Sequence, residues 1–244
     1  MKVAVVGAAG RMGQSVCEAI EAAKDLELVA RLDEGDAISS DTLASAEVAV
    51  EFTVPSATDA NVHAILDAGA HAVVGTTGWS DERLEKVAEH ANQAGKNVVI
   101  APNYALSAVL AMSFAEKAAA MFESVEVIEL HHPDKVDAPS GTATTTARRI
   151  GEVRAEAGLS SPDATQTDPH GSRGAVIDGV NVHAVRLRGL YAHEEILFGN
   201  PGEQLTIRQD SFGRDSFMPG VLLAVRKVGS RPGLTYGLEP LLDM

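Results

Sequence analysis

Only one cysteine, Cys17, occurs among the 244 residues. An intrachain disulfide and any multi-cysteine metal site are thereby excluded, and this usage fits a reducing compartment. Cys17 falls on the apolar stripe of an expected helix, where it reads as a small core residue rather than a nucleophile. Positive charge is also scarce: 20 Lys and Arg stand against 34 Asp and Glu, a formal net charge of −14. Nucleic acid, which needs a basic surface, is set aside as a partner, and any anionic ligand must be held by locally placed basic groups and backbone amides. No apolar run reaches membrane-spanning length, and the apolar stretch Val3 to Val6 runs straight into a glycine turn, unlike a signal peptide. A cytoplasmic protein is expected, with no membrane partner and no metal site. The remainder is of ordinary globular composition, 45% hydrophobic and 22% charged, in a chain long enough for one large or two modest domains.

Val3 to Val6 is a continuous apolar run of buried-strand type, followed by Gly7-Ala8-Ala9-Gly10-Arg11-Met12-Gly13 and a helical pattern from Gln14 to Ala23. The spacing G-x-x-G-x-x-G is a variant of the dinucleotide fingerprint, in which glycine permits a tight turn and lets a pyrophosphate approach the backbone. Leu26 to Leu32 reads as a second strand, and Asp33 stands at its end, 20 residues after Gly13, where a carboxylate binds ribose hydroxyls. Further strands are expected at 48–53, 69–74 and 96–101, with helices at 57–68 and 80–94 between them. This alternation implies a doubly wound parallel sheet. Ligands of such sheets sit beyond the carboxyl ends of the strands, which gathers Gly7 to Gly13, Asp33, Thr53, Gly75-Thr76-Thr77 and Ala101-Pro102-Asn103-Tyr104. His63, His71 and His90 read as core or surface residues.

After Ala105 the grammar changes. A long apolar helix is expected over 106–122, then an alternating strand from Ser124 that delivers His131 and His132 at its end before Pro133 stops it. Pro139-Ser140-Gly141-Thr142 precedes a helical segment, which places a hydroxyl cap and several backbone N–H groups at a helix N-terminus that favours an anion. Two histidines and Lys135 beside such a cradle suit proton transfer to a small acidic substrate. The stretch 158–179, rich in Ser, Pro, Asp and Gly, reads as a long loop in which His170 and Arg173 are weaker site candidates. Closely spaced runs at 180–188, 193–199 and 204–210 suggest antiparallel pairing, and with the earlier strand they make a mixed four-stranded sheet. A sheet covered on one side only has a face to hide, so self-association is expected. A helix over 216–229 and a short terminal segment over 234–242 complete the chain.

These motifs, above all Glu129-Leu130-His131-His132-Pro133-Asp134-Lys135-Val136-Asp137-Ala138-Pro139-Ser140-Gly141-Thr142, resemble the 4-hydroxy-tetrahydrodipicolinate reductase (dihydrodipicolinate reductase) family over essentially the whole chain. The resemblance implies an α/β fold: a doubly wound (Rossmann) cofactor domain of residues 1–102 with 212–244, and a substrate-binding and tetramerisation domain of residues 103–211. It implies hydride transfer from NADH or NADPH to a cyclic unsaturated dicarboxylate, giving tetrahydrodipicolinate in diaminopimelate and lysine biosynthesis, in a homotetramer. By position, it makes His131 the proton donor and Lys135 the second catalytic group. His132, Ser140, Gly141 and Thr142 become substrate ligands, and Gly7, Ala8, Ala9, Gly10, Arg11, Met12, Asp33, Gly75, Thr76, Thr77, Ala101, Pro102, Asn103 and Tyr104 line the cofactor.

One departure bears on the cofactor. Position 9 is Ala9, and the second strand is followed by Asp33, Glu34 and Asp36, acidic neighbours that repel a 2′-phosphate. NADH is therefore favoured, with Arg11 the one nearby cation that could admit NADPH. Two other readings compete. One is another two-domain dehydrogenase, such as an aspartate-semialdehyde or sugar dehydrogenase, of which the former needs a nucleophilic cysteine, for which Cys17 is misplaced; the other, a dinucleotide-sensing regulator, has no use for two histidines and a lysine beside an anion-binding helix start.

Overall fold

The computed structural model describes residues 1–243, and the chain divides into two compact units, Met1–Leu106 with Arg214–Met244, and Ser107–Gly213. In the first, β1 (Lys2–Val6), α1 (Arg11–Ala22), β2 (Glu27–Leu32), β3 (Val48–Glu51), α2 (Thr58–Asp67), β4 (His71–Val74), α3 (Asp81–Ala94) and β5 (Val98–Ile100) follow in chain order. The helix α6 (Met218–Lys227) and strand β11 (Leu234–Tyr236) return to this unit from the end of the chain. Six strands form one sheet in the order β11-β5-β4-β3-β1-β2, every pair parallel.

A parallel sheet buried on both faces must be apolar at every position, and β1, β3, β4 and β5 meet that demand with Val and Ala almost throughout. Ala4, Val6, Ala49, Ala72, Val74 and Ile100 pack with Val62, Ile65 and Leu66 of α2 and Val87 and Ala91 of α3. Alternation turns Val3, Val5, Val50, Val73 and Val99 to the opposite face, where α1 and α6 pack side by side. Helix α3 is capped in the regular way, with the Arg83 amide donating to Ser80 Oγ at 3.4 Å and Gly95 closing it at φ 63°. The strand order reverses direction between β1 and β3, so the topological switch point lies at the glycine turn.

The second unit holds most of α4 (Leu106–Ala118), then β6 (Ser124–His131), α5 (Gly141–Glu156), β7 (Ala175–Ile177), β8 (Val180–Arg186), β9 (Ala192–Asn200) and β10 (Glu203–Ser211). Its sheet has five strands, not four, in the order β10-β9-β6-β8-β7, with β6 and β8 parallel and the other pairs antiparallel. The additional strand, β7, lies inside the stretch expected to be loop. It is three residues long and turns at once into β8, so its alternation is too short to emerge from the surrounding Ser, Pro, Asp and Gly.

One face of this sheet packs against α4 and α5, burying Val125, Val127, Val180, Val182, Ile196 and Phe198 against Ala115, Ala119, Ala143, Ala147 and Ile150. Arg154 of α5 is buried and satisfied by carbonyl oxygens: it donates to Ala119 and Phe122 at 3.1 and 2.7 Å through one nitrogen, and to Glu123 at 2.7 Å through the other. It thereby ties α5 to the carboxyl end of α4, where a cation is favoured. The opposite face carries Val176 and Leu187, 68% and 59% exposed. No helix among the described residues is long and apolar enough to cross a membrane.

Candidate active site

The glycine turn owes its form to two close approaches. Gly7 takes φ +85°, and a Cβ placed on Gly13 would lie 2.0 Å from the Gly7 carbonyl oxygen. Only glycine fits at 13, so the helix can start hard against the strand. It starts at Arg11, three residues earlier than expected, because Gly13 belongs to the first helical turn rather than to the turn before it. Gly10 is the residue before the helix, Arg11 is exposed, and the first N–H groups of α1 point past the helix end.

Asp33 folds back onto this turn. Its Oδ2 accepts the Ala9 amide at 2.5 Å and its Oδ1 the Glu34 amide at 2.8 Å, and these backbone donors hold the carboxyl below its ordinary range. A carboxylate has about four acceptor positions, so capacity for ribose hydroxyls remains. Ala8, Ala9, Asp33 and Arg31 border a cleft of about 520 Å³. Arg31 had no role in the sequence reading; it lines this cleft and is bound to Glu21 at 2.5 Å.

A second cleft, about 320 Å³, lies at the carboxyl ends of β3, β4 and β5 and is lined by Met12, Gly75, Thr76, Thr77, Pro102, Asn103 and Tyr104 together with Phe52 and Phe217. A Cβ at Gly75 would sit 1.9 Å from the Phe52 ring, so this aromatic explains the glycine. Ala101 is itself buried, and Tyr104 is buried with its hydroxyl donating to the Val74 carbonyl at 2.8 Å, burial pushing its pKa well above the ordinary phenol value. Phe52 and Phe217 carried no sequence signal for this site. The glycine turn, where an added Cβ has no room, and a ribose-binding carboxylate beside it fit a dinucleotide.

In the second unit the alternation of β6 carries the chemistry. Val125, Val127, Glu129 and His131 share the face beneath α5, so the face that is apolar at one end becomes ionisable at the other. His131 Nδ1 and Glu129 Oε2 are 2.5 Å apart, with the His131 side chain 13% exposed and that of Glu129 1%. Arg186, facing them from β8, donates to both Glu129 oxygens at 2.8 Å and to the Asp137 carbonyl at 2.8 Å. The Ser140 amide adds a bond to Glu129 Oε1 at 3.1 Å, and Ser140 Oγ accepts from the Ala143 amide at 3.1 Å. Ser140 is 3% exposed: its groups hold the helix start.

Burial pushes the Glu129 carboxyl up, but Arg186 and His131 outweigh it and keep the group ionised below its usual range. Burial lowers the His131 pKa below the ordinary imidazole value; Glu129 opposes the shift, while the Lys135 and Arg186 charges reinforce it. Lys135 Nζ donates to Asp137 at 2.7 Å. His132 faces Tyr191 with ring centroids 6.4 Å apart. A Cβ at Gly141, the first residue of α5, would meet nothing within 4 Å.

The structure thus brings His131, Lys135, Ser140 and Gly141 around one strand end. Glu129 and Arg186, given no role in the sequence reading, complete the cluster; the available signal was an acid on the core side of an alternating strand. Arg173 lies elsewhere, paired with Glu126 on the opposite alternation of β6 and with Asp163 of the loop, and His170 is exposed. Among the described residues no group of three or more His, Cys, Asp or Glu could hold a metal ion.

Residues 1–104 match the family described as dihydrodipicolinate reductase, N-terminus, and residues 107–242 match its C-terminus. A 4-hydroxy-tetrahydrodipicolinate reductase of Beutenbergia cavernae is 60% identical, the alignment covering 100% of this chain and 99% of the relative. One from Nocardia farcinica is 56% identical with the same coverage of 100% and 99%. A solved dipicolinate-bound dihydrodipicolinate reductase from Paenisporosarcina sp. TG-14 is 37% identical and superposes with a TM-score of 0.89 over 99% of both chains. A probable dehydrogenase from Thermotoga maritima, 12% identical with a TM-score of 0.61 over 99% of this chain and 92% of that one, shares the fold alone. With both halves of one family matched in order and its members aligned end to end, the chain belongs to the dihydrodipicolinate reductases, NAD(P)H-dependent oxidoreductases of lysine and diaminopimelate biosynthesis.

Proposed function

We propose that His131 is the proton donor in the 4-hydroxy-tetrahydrodipicolinate reductase activity of this chain, and the observation that carries the reading is its 2.5 Å bond to Glu129. Because Nδ1 faces a carboxylate that Arg186 keeps ionised, Nδ1 carries the proton of that bond. The mobile proton therefore resides on Nε2. A reduced nicotinamide, when bound, supplies the hydride. Lys135 adds positive charge beside the imidazole and favours an anionic substrate there, while Gly141 and Thr142 offer helix-start amides to a carboxylate, with His132 as a further ligand. Ser140 contributes by fixing that helix start.

The glycine turn, Asp33 and the cleft at Gly75 to Thr77 and Pro102 to Tyr104 are the cofactor site in this reading, and NADH is the preferred donor. Asp33, Glu34 and Asp36 repel a 2′-phosphate, and of the two nearby cations Arg31 is held by Glu21, leaving Arg11. The first unit binds cofactor and the second binds substrate and forms the contacts of a homotetramer. A cytoplasmic location fits the single cysteine.

The test follows reduced-nicotinamide absorbance with substrate generated in situ from pyruvate and aspartate semialdehyde, NADH and NADPH side by side. His131→Gln lowers kcat by about 100-fold or more with the melting temperature unchanged; undiminished turnover removes His131 from the mechanism. In the wild type, kcat/KM falls as pH rises past the His131 pKa, which burial sets below the ordinary imidazole value. Equal efficiency with both cofactors would show that Arg11 and the backbone suffice for NADPH.

A further inference from the structure

A carboxyl group on the buried side of a strand requires partners. Glu194 is 2% exposed and lies within β9, in register with Glu129 on β6 and Gln209 on β10. Residues directly opposite in an antiparallel pair point to the same face with Cβ atoms about 5 Å apart, so two carboxyl groups share one patch beneath α5. Their partners are unequal. Glu129 is bonded by Arg186, the Ser140 amide and His131. Among the described residues Glu194 Oε2 has one donor, Thr146 Oγ1 at 3.2 Å, whose single proton is shared with the Thr142 carbonyl at 3.0 Å, and Glu194 Oε1 has no hydrogen-bond partner.

Among the described residues no cation offsets this second carboxyl. From β6 it faces Glu129, with His131 next along the same face; from β10, the neutral Gln209; from α5, the hydroxyl of Thr146. Arg186 of β8 is committed to Glu129, and Arg149 of α5 reaches Glu116 at 3.9 Å. His193, Glu195 and Asp210 belong to the opposite alternation, where Asp210 pairs with His193 and Arg208. Lys135 bears on His131 from the following loop.

We propose that Glu194 is a positioning residue for the His131 imidazole, acting through Glu129 to set how firmly that ring holds its proton. Only the kinetic consequence rests on His131 being the proton donor. Burial holds Glu194 protonated up to about 7, with the Glu129 charge adding to it and Thr146 opposing. When Glu194 ionises, the patch gains a second negative charge on the side of His131 that Glu129 already occupies. Imidazolium is favoured, so the ring keeps its proton to higher pH than Glu129 alone would allow.

The experiment is an NMR titration of the His131 ring in substrate-free wild type and in Glu194→Gln, with His131→Gln for assignment. In the wild type the ring titrates over a broadened range with a second inflection near neutral pH; in Glu194→Gln it titrates in one step, with a midpoint lower by about half a unit or more. Identical titrations overturn the proposal. Thr146→Val removes the one donor to Glu194, keeps that carboxyl protonated to higher pH, and lowers the midpoint in the same direction; where Glu194→Gln does not fold, an unmoved midpoint in Thr146→Val overturns the proposal equally. A merely structural carboxyl would lower activity alike at every pH and leave the ring midpoint in place. The alkaline limb of kcat/KM moves with the midpoint when His131 donates the proton. A moved midpoint with an unmoved limb upholds the tuning of the imidazole and removes His131 from the chemistry.

Discussion

Glu129 and Glu194 stand opposite each other on neighbouring strands, yet one is held ionised by a guanidinium and the other is held neutral by burial. The difference is visible in stability as well as catalysis. The folded pKa of Glu194, about 7, lies above its unfolded value, so folding is penalised fully above pH 7 and not at all below the unfolded pKa. Glu194→Gln is therefore more stable than wild type at pH 8, by about 3 kcal/mol, and the advantage disappears near pH 4; urea unfolding at both pH values checks it. Glu129→Ala works the other way, leaving a guanidinium that is only 21% exposed without its carboxylate, and costs about 3 kcal/mol in the same assay. Little of this pairing was legible in the sequence. Glu129 and Arg186 are 57 residues apart, and only the β6–β8 register brings them together. Alternation did place Glu129 on the core side of its strand, which is the one local sign that it had to be paired.

At the scale of elements, two helix starts each open with glycine for different reasons. At Gly13 the protein itself leaves no room, so Gly13→Ala forces the Gly7 carbonyl aside, destabilises by about 2 kcal/mol or more and weakens cofactor binding, read by thermal shift with NADH. At Gly141 an added Cβ meets no protein atom, so Gly141→Ala keeps or raises stability, by up to about 0.5 kcal/mol, while KM for the dicarboxylate rises. An unchanged KM removes Gly141 from the substrate site. The first glycine was legible as a turn because strand, glycine spacing and helix follow one another within 20 residues. Glycine inside a helix looks locally like a breaker, so the sequence pattern places the start of α1 at Gln14 where the helix begins at Arg11. The strand β7 was missed for want of length, and the edge position of β11 depends on a partner, β5, more than 130 residues earlier.

For the whole molecule, the open face of the second sheet is the feature that calls for company. Leu187 and Val176 stand on it, mostly exposed, on the side away from α4 and α5. Leu187→Glu is expected to turn the proposed tetramer into a smaller species in light scattering while circular dichroism is unchanged; a monomeric wild type at working concentration would end the tetramer reading. The division of the chain has a further consequence, for synthesis. Because α6 and β11 belong to the first unit but follow the second in the chain, the first unit emerges from the ribosome lacking an edge strand and one covering helix, with the β5 edge bare until the second unit has been made. The continuous second unit meets no such delay, so the unit begun before it is completed only after it, and that unit is the one exposed longer to proteases and to premature pairing with another nascent chain.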